Sequence, residues 1–342
     1  MKTALVTGAG GYLGIHLCKN LLDSKYKVIG LDRYFFGLDK INEIKSHKNF
    51  TVVVEDTRYF DHKLMKNVDV VIDLAGLSND ASSEIDPTLT HDINYKGSLN
   101  VFEAANKHGV SRYVYASSAA VYGQSSKKFC SEDDDLNPQT EYAKSKEKVE
   151  KAILPPSNSN MEVVALRLST LYGLAPRMRF DLAINIMTMR AWKHRVIYIM
   201  GGGDQWRPFL HVKDASRAFI AAMNADSDKI VGQVFNVGDN SQNFRIKQLA
   251  AFVTDVIPNV AIHQIPDDPD KRSYSLSFKK IKEVLGFEIT CKIHEGIVEI
   301  KHALESGLLV PEDPTAYTLN WYKSLIEWEQ RIDRLQYKGK VL

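Results

Sequence analysis

Thr7-Gly8-Ala9-Gly10-Gly11-Tyr12-Leu13-Gly14 carries the strongest fold signal in this chain. Gly8, Gly11 and Gly14 stand in a Gly-x-x-Gly-x-x-Gly spacing. Upstream, Thr3–Thr7 reads as a buried strand; downstream, Gly11–Asp23 reads as a helix. Glycines in such a turn let the backbone come close to a diphosphate, and the helix N-terminus adds free N–H groups and a positive dipole end. Tyr12 and Leu13 open that helix, so their backbone belongs to the same cradle. Asp32 ends the second strand, 21 residues after Gly11. A carboxylate there accepts from both ribose hydroxyls and repels a 2′-phosphate, which favours NAD over NADP. Arg33 follows it and either stacks on adenine or tolerates the phosphate. Asp56, with Thr57 beside it, follows the third strand. It can accept from the adenine amine or simply cap its loop. Leu74-Ala75-Gly76 ends the fourth strand in small residues, as close cofactor approach or tight packing requires.

The pattern continues outward. Lys27–Leu31, Phe50–Val54, Val68–Leu74, Arg112–Ala116 and Glu162–Leu168 read as strands. Pro87–Lys107 and Thr140–Ile153 read as helices, the latter stopped by Pro155-Pro156. This alternation implies right-handed crossovers and a doubly wound parallel sheet of the α/β class. After about residue 174 the regularity loosens. A helix is expected over Phe180–Trp192, with short strands at Val196–Met200, Val234–Val237 and Ala261–Ile265. The 342 residues suggest roughly two domains at about 150 residues each. The expected division is 1–175 for the dinucleotide lobe and 176–307 for a smaller α/β substrate lobe, with some chain exchange. Residues 308–342 form a tail, in which Pro314–Tyr337 reads as one aromatic amphipathic helix.

Composition excludes several classes. With 44% apolar and 25% charged residues the chain is ordinary globular material, not disordered or fibrous. A net charge of +2 leaves no nucleic-acid footprint. No apolar run approaches the ~18 residues of a membrane span, and the first residues turn into glycines too soon for a secretory signal. Cys18, Cys130 and Cys291 lie far apart and form neither a metal spacing nor an even disulfide set. A cytoplasmic protein without a metal is expected.

Tyr142-Ala143-Lys144-Ser145-Lys146 places Tyr142 and Lys146 on one helix face, at i and i+4. A free phenol titrates near ~10 and is a poor base at neutrality. A nearby ammonium and a positive nicotinamide ring would lower that value. Tyr142 would then take the proton of a substrate hydroxyl as hydride leaves the same carbon. Ser118, at the end of the fifth strand and 24 residues before Tyr142, can hydrogen-bond the reacting oxygen. Lys146 can also hold the nicotinamide ribose.

Together the glycine turn, Asp32, Asp56, Leu74-Ala75-Gly76, Asn94-Tyr95-Lys96-Gly97-Ser98, Ser117-Ser118, Tyr122-Gly123 and Tyr142-x-x-x-Lys146 make a specific combination. Over residues 1–307 the chain resembles the extended short-chain dehydrogenase/reductases, in their sugar-nucleotide epimerase/dehydratase group. The resemblance implies a Rossmann-type domain with a substrate-binding lobe, NAD as cofactor, and Ser118, Tyr142 and Lys146 as the catalytic set. It implies that Asn94 supports the active site beside the cofactor. Arg207, in Gln205-Trp206-Arg207-Pro208-Phe209, resembles the family's arginine for the diphosphate of a nucleotide sugar, with Pro208 in place of the usual Asp. Arg272, in Asp270-Lys271-Arg272-Ser273-Tyr274, resembles a second one. Relatives often form homodimers through the helices corresponding to 87–107 and 140–154.

Two positions depart from the family pattern. Thr170 stands where Asn is common after Arg167, so Arg179 or Asn185 is expected to supply the missing substrate contact. Ala119-Ala120 stand where 4,6-dehydratases carry an Asp-Glu pair, and neither can move a proton. Ser78 and Asn79, in the loop after the fourth strand, are expected to line the sugar pocket. The leading expectation is an NAD-dependent epimerase acting at C4 of a nucleotide-diphosphate sugar through a transient 4-keto intermediate. Net redox on a nucleotide sugar (4-keto reduction or 4-hydroxyl oxidation) remains the alternative. A non-catalytic NAD sensor is a third, disfavoured by the intact Ser118, Tyr142 and Lys146.

Overall fold

A computed structural model describes residues 1–154, 161–266 and 272–341. Seven strands form the main parallel sheet. They are β1 (Thr3–Thr7), β2 (Lys27–Asp32), β3 (Phe50–Val54), β4 (Val70–Asp73), β5 (Arg112–Ser118), β6 (Glu162–Leu168) and, after three strands that lie elsewhere, β10 (Gln233–Val237). Their order is β10-β6-β5-β4-β1-β2-β3. The chain runs outward from β1 in one direction through β2 and β3, then crosses back to β4. That reversal opens a crevice at the carboxyl ends of β1 and β4, where ligands bind in doubly wound sheets.

The period-2 geometry of β1 explains the two layers. Ala4 and Val6 face the helices α1 (Tyr12–Asp23) and α5 (Val212–Asn224), meeting Leu17, Leu21, Ala218 and Phe219 in one core. Leu5 faces the other side, with α2 (Gly97–Lys107) and α3 (Glu141–Ile153), where it joins Val101, Ala105, Val149 and Ile153. Neither face of the central strands β1, β4, β5 and β6 is solvated, which is why they read as continuous apolar runs.

The remaining elements build the far wall of the crevice. β9 (Trp206–His211) lies between β7 (Thr170–Tyr172), parallel, and β11 (Asn243–Arg245), antiparallel. β8 (Val196–Met200) pairs with β12 (Ala261–Ile265) in parallel. The helices α4 (Ala183–His194), α6 (Ile246–Val256) and α7 (Ile293–Glu305) pack together around Met187, Leu249 and Ile297. The tail ends in α8 (Thr318–Leu335). Among the described residues no helix is long and apolar enough to cross a membrane.

Three elements differ from the sequence expectation. The helix expected over Pro87–Lys107 starts where Asp86 caps Thr88 and Leu89 and Pro87 fills the first turn, but His91–Lys96 is a π-helical turn. The helix expected from Phe180 begins only at Ala183, because Asp181 turns back to bind Arg179. The tail divides into a 3₁₀ turn, Pro314–Ala316, and α8, with Tyr317 in a non-helical conformation between them. The proposed stop at Pro155-Pro156 lies outside the described residues.

Candidate active site

A cleft of about 600 Å³ runs along the carboxyl ends of the main sheet and under β7–β9. Its first half is built from the glycine turn. Gly8 has φ +67°, and a Cβ there would sit 3.0 Å from the Ala75 backbone nitrogen. At Gly14 a Cβ would come within 2.1 Å of the Gly8 carbonyl oxygen, so only glycine lets α1 pack onto the turn. No side chain caps α1 at Gly11, which leaves its first-turn amides for an anion. Leu13, Leu74, Ala75, Gly76 and Thr57 line the same half. The Leu74 and Ala75 amides both donate to Thr7 Oγ1 at 3.1 Å.

Asp32 is fixed before any ligand arrives. Its Oδ2 accepts from the Gly10 amide at 3.0 Å and its Oδ1 from the Tyr34 amide at 2.6 Å. Burial pushes its pKa up, and these bonds and the nearby Arg177 charge oppose that. Arg33 lies 4.8 Å over the Phe35 ring and 3.3 Å from Asp56. Asp56 also binds Arg58 through both carboxylate oxygens, at 2.9 and 2.8 Å, so it shapes the loop as well as the cleft wall. These residues fit the adenosine ribose and diphosphate of NAD: a prepositioned carboxylate, uncapped helix amides and a backbone cradle that a Cβ would fill.

In the middle of the cleft, β5 delivers Ser118 and α3 delivers Tyr142 and Lys146. Thr140 caps α3 by accepting from the Ala143 amide. Ser118 and Tyr142 line the same stretch of the cleft, where Ser118 acts to lower the Tyr142 pKa, and Ser118 Oγ accepts from the Ala120 amide at 3.2 Å. Lys146 donates to the Ala116 carbonyl at 2.7 Å and lies 4.8 Å from the Tyr115 ring. The Lys146 ammonium also lies 5.8 Å from the Tyr142 ring centroid, so the two share one face of α3. Burial pushes Tyr142 up to about 12, opposed by Ser118 and by the Arg179 charge. Burial likewise brings Lys146 down to about 8, against the pull of Asp73 and Glu150.

Two residues make no direct contact with the cleft. Asn94 does not line the cleft. It is 1% exposed, within the π turn, and holds Leu77 from both sides: Oδ1 accepts from its amide at 2.7 Å and Nδ2 donates to its carbonyl at 3.3 Å. It also donates to Ser145 Oγ, tying the end of β4 to α3. Asn94 thus positions the site without touching its ligands. Asn185 is fully buried, accepting from the Gly173 amide and donating to the Tyr12 hydroxyl and the Arg179 carbonyl. Its polar atoms are all engaged within the protein, which removes it as a substrate contact.

The second half of the cleft gathers Ser78, Asn79, Thr170, Arg179, Arg207 and Arg272. Arg179 pairs with Asp181 at 2.6 Å. Burial works against the Asp181 charge, yet Arg179 and Arg177 hold its pKa down to about 2. Asn79 donates to Asp181 and accepts from the Ser82 amide, so it is mainly a loop brace. Arg207 donates to the Trp206 and Arg272 carbonyls and lies 5.1 Å from the Tyr274 ring. Arg272 pairs with Asp80 at 2.7 Å. Asp270 and Lys271, in the same segment, lie outside the described residues.

The family model of the "NAD dependent epimerase/dehydratase family" matches residues 4–238. The chain belongs to this family. A Bacillus subtilis (strain 168) protein named an uncharacterized UDP-glucose epimerase is 28% identical over 309 residues, 86% of this chain and 95% of its own. The UDP-N-acetylglucosamine 4-epimerase of Methanobrevibacter ruminantium M1, solved with UDP-N-acetylmuramic acid, is 25% identical with a TM-score of 0.82. It covers 90% of this chain and 99% of its own. MoeE5, solved with UDP-glucuronic acid and NAD, is 26% identical with a TM-score of 0.79, covering 89% of this chain and 99% of its own. This member of the NAD-dependent epimerase/dehydratase family carries a Rossmann-type sheet.

Several cleft residues escaped the sequence reading. Asp80 receives Arg272, accepts from Thr140 Oγ1 and acts on the charge of Tyr142. Met187, Arg190, Tyr198 and Met200 line the outer end. Tyr322, from the tail, lines the cofactor half. Nothing local marks any of them in the sequence; they are brought there by long-range folding.

Proposed function

We propose that this enzyme inverts C4 of a nucleotide-diphosphate sugar, by withdrawing and returning hydride at that carbon. The observation that carries the reading is the Ser118–Tyr142 pair, set between a dinucleotide cradle and a basic second half-cleft. NAD, when bound, supplies the reversible hydride acceptor. Tyr142 takes the proton of the sugar hydroxyl as that carbon becomes a ketone, and returns it when hydride comes back to the other face. Ser118 holds the reacting oxygen. Lys146 holds the nicotinamide ribose, and Asp32 the adenosine ribose. Arg207 and Arg272 grip the sugar nucleotide's diphosphate through planar multiple donors. Ala119 and Ala120 are buried and carry no proton, which speaks against 4,6-dehydration. The relatives named above bear UDP-sugar names, so UDP is the first nucleotide to test.

Protein purified without added cofactor and then denatured is expected to release NAD or NADH in a ratio near one per chain. With a UDP-sugar it is expected to yield the C4 epimer with no net NADH. Empty protein that oxidises or reduces the sugar stoichiometrically would transfer the assignment to net redox. We also propose a homodimer joined through helices 87–107 and 140–154, whose Tyr95, Leu99 and Phe102 are only half-buried. Sedimentation should give twice the chain mass, and a monomer at micromolar concentration would overturn it.

A further inference from the structure

The tail helix lies beyond residue 238, outside the family model, yet it bridges the two banks of the cofactor cleft. On one bank is the segment after β2. Trp321 Nε1 donates to the Phe35 carbonyl at 2.7 Å, and the Tyr322 ring packs edge-on against Phe35 and 5.5 Å from Phe36. Just before the helix, Asp313 pairs with Lys40 at 2.7 Å. On the other bank, Thr318 donates to Asp181 at 3.1 Å and accepts from Arg177 Nη2 at 2.9 Å. The Phe180 amide donates to the Ala316 carbonyl at 2.8 Å.

Arg177 is the second observation. It is 2% exposed, lines the cleft and lies 3.7 Å over the Phe36 ring. Its Nε is buried with no hydrogen-bond partner among the described residues. Its direct contacts, Thr318 and Phe36, carry no charge, and Asp181, whose charge reaches it, is already paired with Arg179. Burial, reinforced by neighbouring Arg179, brings its pKa down to about 10. A buried guanidinium with an idle donor is costly unless an anion completes it. The charge of Arg177 reaches Asp32, in the half of the cleft where the glycine turn and the uncapped α1 amides would hold the dinucleotide's diphosphate.

We propose that α8 is a third wall of the cofactor site, in which Tyr322 closes the cleft over the adenosine side and Arg177, steered by Thr318, binds the NAD diphosphate. The helix then works as a strap that keeps the cofactor from exchanging between turnovers. This rests on the reading that NAD occupies the glycine-turn half of the cleft.

The test is a chase: enzyme loaded with NADH is mixed with excess NAD, and the loss of bound NADH fluorescence gives the release rate. Tyr322→Ala and Arg177→Gln should each release NADH about tenfold faster, the scale of one lost charged or packed contact. Ile332→Ala, 45% exposed on the same helix, should stay within about twofold of wild type because it leaves the cleft face intact. Arg177→Gln gives up the Thr318 bond but keeps the Trp321, Asp313 and Ala316 contacts of the tail, so it decides the matter even if Tyr322→Ala unfolds the tail. Wild-type release rates in both cleft variants would overturn the strap while leaving the cofactor assignment standing. A wild type that takes up no NADH would overturn both.

Discussion

Tyr142→Phe should lower turnover by about 10³-fold, within the ~10²–10⁴ range of a lost general base. The change removes one oxygen and keeps the ring that packs beside Lys146, so folding and cofactor affinity should be nearly untouched. The size of the loss follows from the setting. In the cleft alone, burial holds the phenol at about 12, far from the working range of a base. Its charged form depends on the neighbouring Ser118 and on cations nearby. Arg179 already supplies one positive charge, and a bound nicotinamide supplies another. A phenylalanine can use neither, and no carboxylate at 119 or 120 stands ready to substitute. The check pairs steady-state turnover with NADH titration of the same variant. Near-normal turnover would remove Tyr142 from the chemistry. Lost NADH binding with proportionate loss of turnover would make it a binding residue.

The centre of the parallel sheet was legible because β1, β4, β5 and β6 are buried on both faces, and the more exposed strands because they are β-rich runs bounded by turns. Phe50–Val54, Glu162–Leu168, Val196–Met200 and Ala261–Ile265 fall where their β-rich runs place them. The glycine turn was legible for a stricter reason: at Gly8 the backbone after β4, and at Gly14 the backbone of the turn itself, leave no room for a Cβ. β9 was not read, since Pro208 and Arg207 argue against a strand by every local rule. The π turn around Asn94 has the same apolar positions as an α-helix, so periodicity cannot separate them. The basic loop presents Arg177 and Arg179 two residues apart, with nothing local to say which faces the sugar side and which the cofactor side. Asn185 looked available because polarity is visible in a sequence and hydrogen-bond partners are not. The tail announced an amphipathic helix, but what covers its apolar face depends on Phe35 and Phe36, nearly 300 residues away.

Arg167→Met should cost about 3–5 kcal/mol of folding stability, the penalty for leaving a buried charge unpaired. Arg167 and Glu150 are 4% and 3% exposed. The guanidinium binds both oxygens of the carboxylate, at 3.1 and 2.7 Å. Its other end donates to the Tyr122 hydroxyl at 2.8 Å, and Ser117 donates to Glu150. This cluster joins β5, β6 and α3 directly behind Ser118, Tyr142 and Lys146. With methionine in place, Glu150 must take up a proton, draw in water or shift α3, and each route weakens the catalytic geometry as well as the fold. Urea unfolding should therefore show a lower midpoint with an unchanged slope, accompanied by a fall in turnover. The double variant Arg167→Met with Glu150→Gln separates charge from shape. If the unpaired charge is the cause, it should recover most of the lost stability, since a neutral amide in that pocket costs far less than an isolated carboxylate. Equal destabilisation of single and double variants would mean that the pair matters for its packing and hydrogen bonds. A single variant within about 1 kcal/mol of wild type would mean that water reaches Glu150 and that the charge was never isolated.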